Sequence, residues 1–132
     1  MLEIRTNGKA LVEITGEVGG WVGQQAIASG LLTLFCRHSS ASLTIQENAA
    51  PAVKADILVW LDRVAPENAG WRHDEEGADD MPAHLKAMLT GVHLAIPVID
   101  GSPALGIWQG IYLVEHRVRA HRRSIALHLI GE

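Results

Sequence analysis

Two neighbouring stretches constrain this chain more than any other feature. Leu31-Leu32-Thr33-Leu34-Phe35-Cys36-Arg37 is apolar at nearly every position. After His38-Ser39-Ser40-Ala41, the segment Ser42-Leu43-Thr44-Ile45-Gln46-Glu47 alternates strictly. A short continuous apolar run predicts a strand buried on both faces; strict alternation predicts a strand with one face on the core, here Leu43 and Ile45. Glu47 falls on that same apolar face at the strand's end, and Asn48 follows it. A carboxylate there needs a partner, a metal or water, because burying it unpaired costs about several kcal/mol.

The remaining segments arrange themselves around these two. Leu2 to Thr6 alternates, Asn7-Gly8 supplies a hairpin turn, and Leu11 to Thr15 reads as the second strand of that hairpin. Gly16 to Gly20 is expected as a bend, followed by a helix over Trp21 to Ser29 with Gly30 at its C-terminal stop. Pro51 to Val64 is the clearest helix, with Val53, Ile57, Trp60, Leu61 and Val64 as an apolar stripe and Trp60 expected in the core. Ala65-Pro66 ends it. A third helix spans Met81 to Thr90, with Asp80 as N-cap, Pro82 in its first turn, Leu85, Met88 and Leu89 facing inward, and Gly91 as its stop. Strands follow at His93 to Val98, in an edge or terminal position because of Pro97, and at Gly106 to Glu115. The last is Ser124 to Ile130, with Ile125, Leu127 and Leu129 inward. The order β-β-α-β-β-α-α-β-β-β predicts an α+β fold with a largely antiparallel sheet, a sandwich or partly open barrel.

At 132 residues the chain is expected to form a single domain over 1–132. The net charge of −4 argues against nucleic acid as a partner. The lone cysteine, Cys36, excludes an internal disulfide and reads as a buried apolar residue of a reducing compartment. Met1 to Arg5 has no signal-peptide character, and no apolar run reaches the length of a membrane span. A cytoplasmic protein is expected.

Chemistry concentrates in Trp71 to Lys86, which carries His73, Asp74, Glu75, Glu76, Asp79, Asp80 and His84. Imidazole and carboxylate bind divalent cations and move protons near neutral pH. A loop folding back between His73 and His84 would let both, with Asp79 or Glu76, surround one ion: two His and a carboxylate suit Zn²⁺, and the carboxylate excess equally fits Mg²⁺. His84, in the first turn of its helix, is favoured as neutral imidazole, whereas Asp80 is read as an N-cap. His38 ends the first apolar strand and is a candidate ligand or general acid/base; the hydroxyls and amides of Ser39 and Ser40 suit a phosphate. Trp108-Gln109, between Gly106 and Gly110, offers a flat ring and an amide to whatever approaches. Arg117, Arg119, Arg122 and Arg123 have three readings: solvated surface, a subunit-interface network, or an anion clamp, for which Arg119 and Arg122 are the candidates. His93, His121 and His128 are expected at the surface or an interface.

Three stretches together resemble the YjbQ-like family of secondary thiamine-phosphate synthase enzymes. They are His38-Ser39-Ser40-Ala41-Ser42-Leu43-Thr44-Ile45-Gln46-Glu47-Asn48, then Asp79-Asp80 with Ala83-His84-Leu85-Lys86, then Leu105-Gly106-Ile107-Trp108-Gln109-Gly110-Ile111-Tyr112-Leu113 with Glu115. The chain departs from the family at Ser39 and Ile107, where threonine is usual, and lacks the Gly-Pro-Arg often found near Arg117. The resemblance implies a compact α+β subunit, commonly a homotrimer, with a His- and carboxylate-rich pocket that in some members holds a metal or an anion. It also implies thiamine phosphate formation from a pyrimidine diphosphate and a thiazole phosphate, as a weak reaction.

The resulting expectation is a metal-assisted enzyme acting on a small phosphorylated metabolite. His38, Glu47 and His84 would be catalytic, and His73, Asp79 and His84 the metal ligands. Ser39, Ser40, Asn48, Trp108, Gln109 and Arg119 would bind substrate. The alternatives are a metal-dependent phosphate-ester hydrolase and a non-catalytic trimeric metabolite- or metal-binding module.

Overall fold

A computed structural model describes residues 1–132. Its elements are β1 (Leu2–Asn7), β2 (Ala10–Glu13), α1 (Thr15–Gly23), β3 (Gly30–Cys36), β4 (Ala41–Glu47), α2 (Pro51–Val64), α3 (Asp80–Thr90), β5 (His93–Ile99), β6 (Ser102–Pro103), β7 (Gln109–Glu115) and β8 (Ala120–Gly131). They form a five-stranded sheet in the order β1-β8-β3-β5-β6 and a three-stranded sheet in the order β2-β7-β4. Every strand pairing is antiparallel, so the α+β reading holds. No helix is long and apolar enough to cross a membrane.

The main core lies between the sheets. Leu32, Leu34 and Cys36 of β3, Ile96 and Val98 of β5 and Ile125 of β8 meet Leu43 of β4 and Ile111 and Leu113 of β7. A smaller cluster of Leu11, Leu61, Tyr112 and Val114 joins α2 to the other face of the three-stranded sheet. The strand buried on both faces is therefore β7, from Gly110 to Glu115, and not β3. On β3 every second side chain points away from the core, leaving Leu31 and Phe35 45% and 48% exposed. An apolar run reports what a surface can bury, and in a single chain the outer face of this sheet is open.

Several local expectations yield to longer-range packing. Asn7-Gly8 closes no hairpin: β1 pairs with β8 and β2 with β7, so the turn carries the chain from one sheet to the other. The first helix begins at Thr15 and not Trp21, running through the glycines because Ile14, Val18 and Val22 fall four apart and are all buried. That apolar spacing outweighs the low helix propensity of Gly16, Gly19 and Gly20. Gly30 is no helix stop but the first residue of β3, opposite Gly131; a Cβ there would lie 2.4 Å from the Ile130 carbonyl oxygen.

The second helix has the expected bounds but is rotated. Its buried side runs through Val53, Ile57, Leu58 and Leu61, while Trp60 and Val64 are exposed. On α3 the buried residues are Asp80, Pro82, Ala83, Lys86 and Ala87, and Met88 and Leu89 face solvent. Small residues let α3 lie closely against β4. Lys86 is buried because its ammonium reaches Asp62 Oδ1 at 2.5 Å, tying α3 to α2. The expected long strand from Gly106 starts only at Gln109, after a turn at Ile107-Trp108. β5 has only two-residue β6 beyond it, so Pro97 lies beside the sheet's edge.

Candidate functional site

The end of β3, the start of β4 and the N-terminal half of α3 meet at one corner of the molecule. There the acidic stretch folds back over α3, and Trp71 donates its indole N–H to the Pro66 carbonyl at 2.8 Å. His73 is thereby carried to Asp80, with Nε2 2.6 Å from Oδ2. His84, one turn along α3 from Asp80, places its own Nε2 3.3 Å from the same oxygen. The ligand atoms of His73, Asp80 and His84 lie within 4.8 Å of one another.

Each member is oriented from behind. His84 Nδ1–H donates to the Ser39 carbonyl at 3.0 Å, which turns Nε2 toward Asp80. Arg117 donates from Nη1 to Asp80 Oδ1 at 2.5 Å and from Nε to Asp79 Oδ2 at 2.9 Å, and from Nη2 to the Glu76 carbonyl at 2.8 Å. Burial alone would raise the Asp80 carboxyl, but the His73 hydrogen bond and the Arg117 charge outweigh it and hold it below the usual carboxylate range. The Asp80 hydrogen bond raises His73 above its ordinary value. Asp79 is also held low: burial is outweighed by the Val118 amide and the Arg117 guanidinium.

The metal-type cluster therefore contains Asp80 where the sequence pointed to Asp79. Asp80 is also not the N-cap: the helix begins at Asp80, so the cap position falls to Asp79, whose carboxylate makes no cap bond and is held by Arg117 and the Val118 N–H. Capping propensity describes the isolated helix end; here Arg117 and two imidazoles give the Asp80 charge better partners. The i,i+4 spacing of Asp80 and His84 was the signal available in the sequence. Arg117 carried none, because its reach across from the β7–β8 connection depends on the fold.

Beside the cluster is a cavity of about 510 Å³ lined by His38, Ser39, His84, Met88 and His93, among others. His38 Nε2 accepts the Ser124 N–H at 2.8 Å, and burial together with the Arg123 charge lowers its basicity. Underneath, Glu115 and Arg123 form a buried ion pair. Arg123 Nη2 also donates to the Ser40 carbonyl at 3.2 Å, and Glu115 Oε2 accepts the Arg117 N–H at 3.1 Å. One ion pair thus supports both the His38–Ser40 segment and the segment bearing Arg117.

The remaining expected site residues lie elsewhere. β4 runs from Ala41 to Glu47, so its ends are about 20 Å apart at a strand's ordinary rise. Glu47, at the end remote from His38, accepts the Ala50 N–H at 3.0 Å where α2 begins. Asn48 Nδ2 donates to the Ile107 and Gln109 carbonyls, each at 3.3 Å, and Gln109 Oε1 accepts the Gly106 N–H at 2.7 Å. These amides shape a turn that leaves Trp108 63% exposed. Close approach at Gly110 is observed: a Cβ would lie 3.0 Å from Glu13 Oε2. Arg119 is exposed on the β7–β8 connection, and its carbonyl accepts the His121 Nδ1–H at 2.7 Å. Within one chain, His38, Ser39, His73 and His84 come together, while Glu47, Asn48, Trp108 and Gln109 form a separate group.

The model of the family described as UPF0047 protein YjbQ-like matches residues 1–132. The chain belongs to this family. A UPF0047 protein of Synechocystis sp. is 43% identical over 133 residues, covering 100% of this chain and 90% of the relative. The YjbQ protein of Salmonella typhimurium is 46% identical over 120 residues, covering 91% and 85%. Among solved structures, a Sulfolobus solfataricus protein described as YbjQ-like and of unknown function superposes with a TM-score of 0.90 at 28% identity, covering 99% of this chain and 96% of that one. A Clostridium acetobutylicum member of the YjbQ/UPF0047 family gives 0.86 at 34% identity, with 98% and 100% covered. The two-sheet fold described above is thus the YjbQ-like fold.

Proposed function

We propose that this chain is a metal-assisted enzyme acting on a small phosphorylated metabolite. Thiamine phosphate synthesis, joining a pyrimidine diphosphate to a thiazole phosphate, is a reaction it would support weakly. The observation that carries the proposal is the convergence of His73, Asp80 and His84 beside an open cavity, with His84 and Asp80 each oriented by a further partner. Two imidazoles and one carboxylate suit Zn²⁺ better than Mg²⁺, which prefers oxygen ligands, and three protein ligands are the usual complement of a catalytic site. A divalent ion held there would supply positive charge against a departing pyrophosphate. Ser39, at the cavity wall, would hold phosphate oxygens through its hydroxyl.

The test combines metal analysis of untagged protein with an assay for thiamine phosphate in the presence of added divalent ion. His84→Ala is expected to stay folded and lose both bound metal and coupling activity; equal activity in the variant would remove His84 from the mechanism. A second reading, hydrolysis of a phosphate ester at the same site, is favoured by one observation. Trp108, the flat ring expected to bind substrate, lies at the far end of β4 within one chain. Release of phosphate from simple esters without a coupled product would select this reading. Ligand-dependent stabilisation without turnover would select a binding module instead.

We infer also that copies associate through the outer face of the five-stranded sheet, where Leu31, Phe35 and Ile130 are exposed. The number three comes from the family resemblance alone.

A further inference from the structure

We propose that His38 serves the cavity as a fixed, uncharged N–H donor that orients an oxygen of the bound ligand, and not as a base. β3 ends at Cys36, so β8 runs on past its neighbour, and the imidazole of His38 takes the place of the missing strand. Its Nε2 accepts the Ser124 N–H at 2.8 Å. A backbone amide can only donate, so Nε2 must present its lone pair, and the proton of the neutral ring resides on Nδ1. No side-chain nitrogen or oxygen buried from solvent lacks a hydrogen-bond partner. Nδ1 has no protein partner and is therefore accessible, on a ring that lines the cavity.

A second imidazole lining the cavity is held in the opposite sense. His84 spends its Nδ1–H on the Ser39 carbonyl and faces Asp80 with Nε2. One imidazole thus presents a proton donor to the cavity while the other turns its Nε2 to the metal-type cluster, both set by backbone groups of neighbouring segments. A ligand oxygen carrying negative charge, as on a phosphate, fits the donor and would sit between it and the metal-type cluster. This assignment rests on the cavity being the ligand site proposed above.

Nitrogen-15 NMR of the intact protein at neutral pH reads the tautomer directly. His38 is expected to show a pyridine-type Nε2 and a pyrrole-type Nδ1, and inorganic phosphate should shift the Nδ1–H resonance. Two variants separate the ring's halves. His38→Gln retains an acceptor for Ser124 but no donor at the Nδ1 position, and should bind phosphate about tenfold more weakly while keeping wild-type stability. His38→Asn retains the donor and loses the Ser124 bond, and should keep its phosphate affinity with a lower melting temperature. A protonated Nε2 in the wild type, or unchanged phosphate binding in His38→Gln, overturns the proposal even if phosphate binds. If the wild type shows the expected tautomer and binds no phosphate, it is the reading of the cavity as an anion site that falls, and the donor's role falls with it.

Discussion

Asp80 shows how much a single carboxylate can be asked to do. It is 2% exposed, faces two imidazoles with one oxygen and Arg117 with the other, and stays ionised because those partners outweigh its burial. Arg117→Lys keeps a positive charge but loses the planar fork that bridges Asp79 and Asp80. If the cluster binds Zn²⁺, affinity measured by competition with a chromophoric chelator should fall about 10- to 100-fold. An unchanged affinity would mean that Asp80 needs no such orientation. His116 illustrates a different balance. It is buried against Ser42, with Nε2 2.8 Å from Oγ, and burial followed by the Lys86 charge pushes its pKa down to about 3. The fold therefore favours the neutral ring, and the unfolded chain, titrating near 6.5, takes up a proton first. The contribution of His116 to stability is fully present above about pH 6.5 and is lost as pH falls toward its folded value, a change on the order of 3–5 kcal/mol. Urea unfolding from pH 7 to pH 5 should show His116→Gln losing less stability than wild type. Parallel curves for the two proteins would contradict this account.

At the scale of elements, the site is assembled where strand ends meet the first turns of α3. The two ends of β4 carry different structures, the metal-type corner and the turn bearing Trp108, and β3 likewise meets the site only at its C-terminal end, so damage at its N-terminal end should act on stability separately from ligand binding. Gly30→Ala offers a direct check. Its Cβ would meet the Ile130 carbonyl oxygen at 2.4 Å where β3 pairs with β8, and relieving that overlap should cost about 1–3 kcal/mol. Chemical denaturation should show this loss, while divalent-metal binding per folded molecule stays at the wild-type level. A variant as stable as wild type would show that the two strands separate there at little cost. The helices are set by what lies beneath them: α3 turns Ala83 and Ala87 to β4 and sends Met88 to the cavity rim, 77% exposed.

The whole molecule is polarised between a tightly filled interior and an apolar outer sheet face. Leu31, Phe35 and Ile130 are all on strands β3 and β8, where Leu31 and Ile130 are direct cross-strand partners. Association through this face makes a clear demand: Phe35→Asp should lower the sedimentation coefficient toward that of a single chain and remove any dependence of melting temperature on protein concentration. The same sedimentation coefficient in wild type and variant would place the contact elsewhere.

Strand periodicity was readable because side-chain alternation is local: β4 and β5 lie close to where their patterns placed them, and Ile125, Leu127 and Leu129 of β8 face inward, although β8 begins at Ala120, four residues before the expected Ser124, where it pairs with β1. The bounds of α2 were equally plain, since Pro51 and Ala65-Pro66 punctuate it. So were the kinds of residue at the candidate site, because His73, Asp79, Asp80 and His84 fall in one short span. What local pattern could not decide was partnership. Whether Asn7-Gly8 closes a hairpin, which side of α2 or α3 is buried, and whether Asp79 or Asp80 meets the histidines all depend on groups remote in the chain. Arg117 lies 37 residues beyond Asp80 and selects its role; Ser124 lies 86 beyond His38 and decides which of its nitrogens carries a proton. Glu47 shares a motif with His38 but lies, with Trp108, at the other end of β4, because a strand separates what is adjacent in sequence. Composition and periodicity determine which elements form; the pairing of charges and hydrogen bonds between them is settled only when tertiary packing brings the partners within a few ångströms.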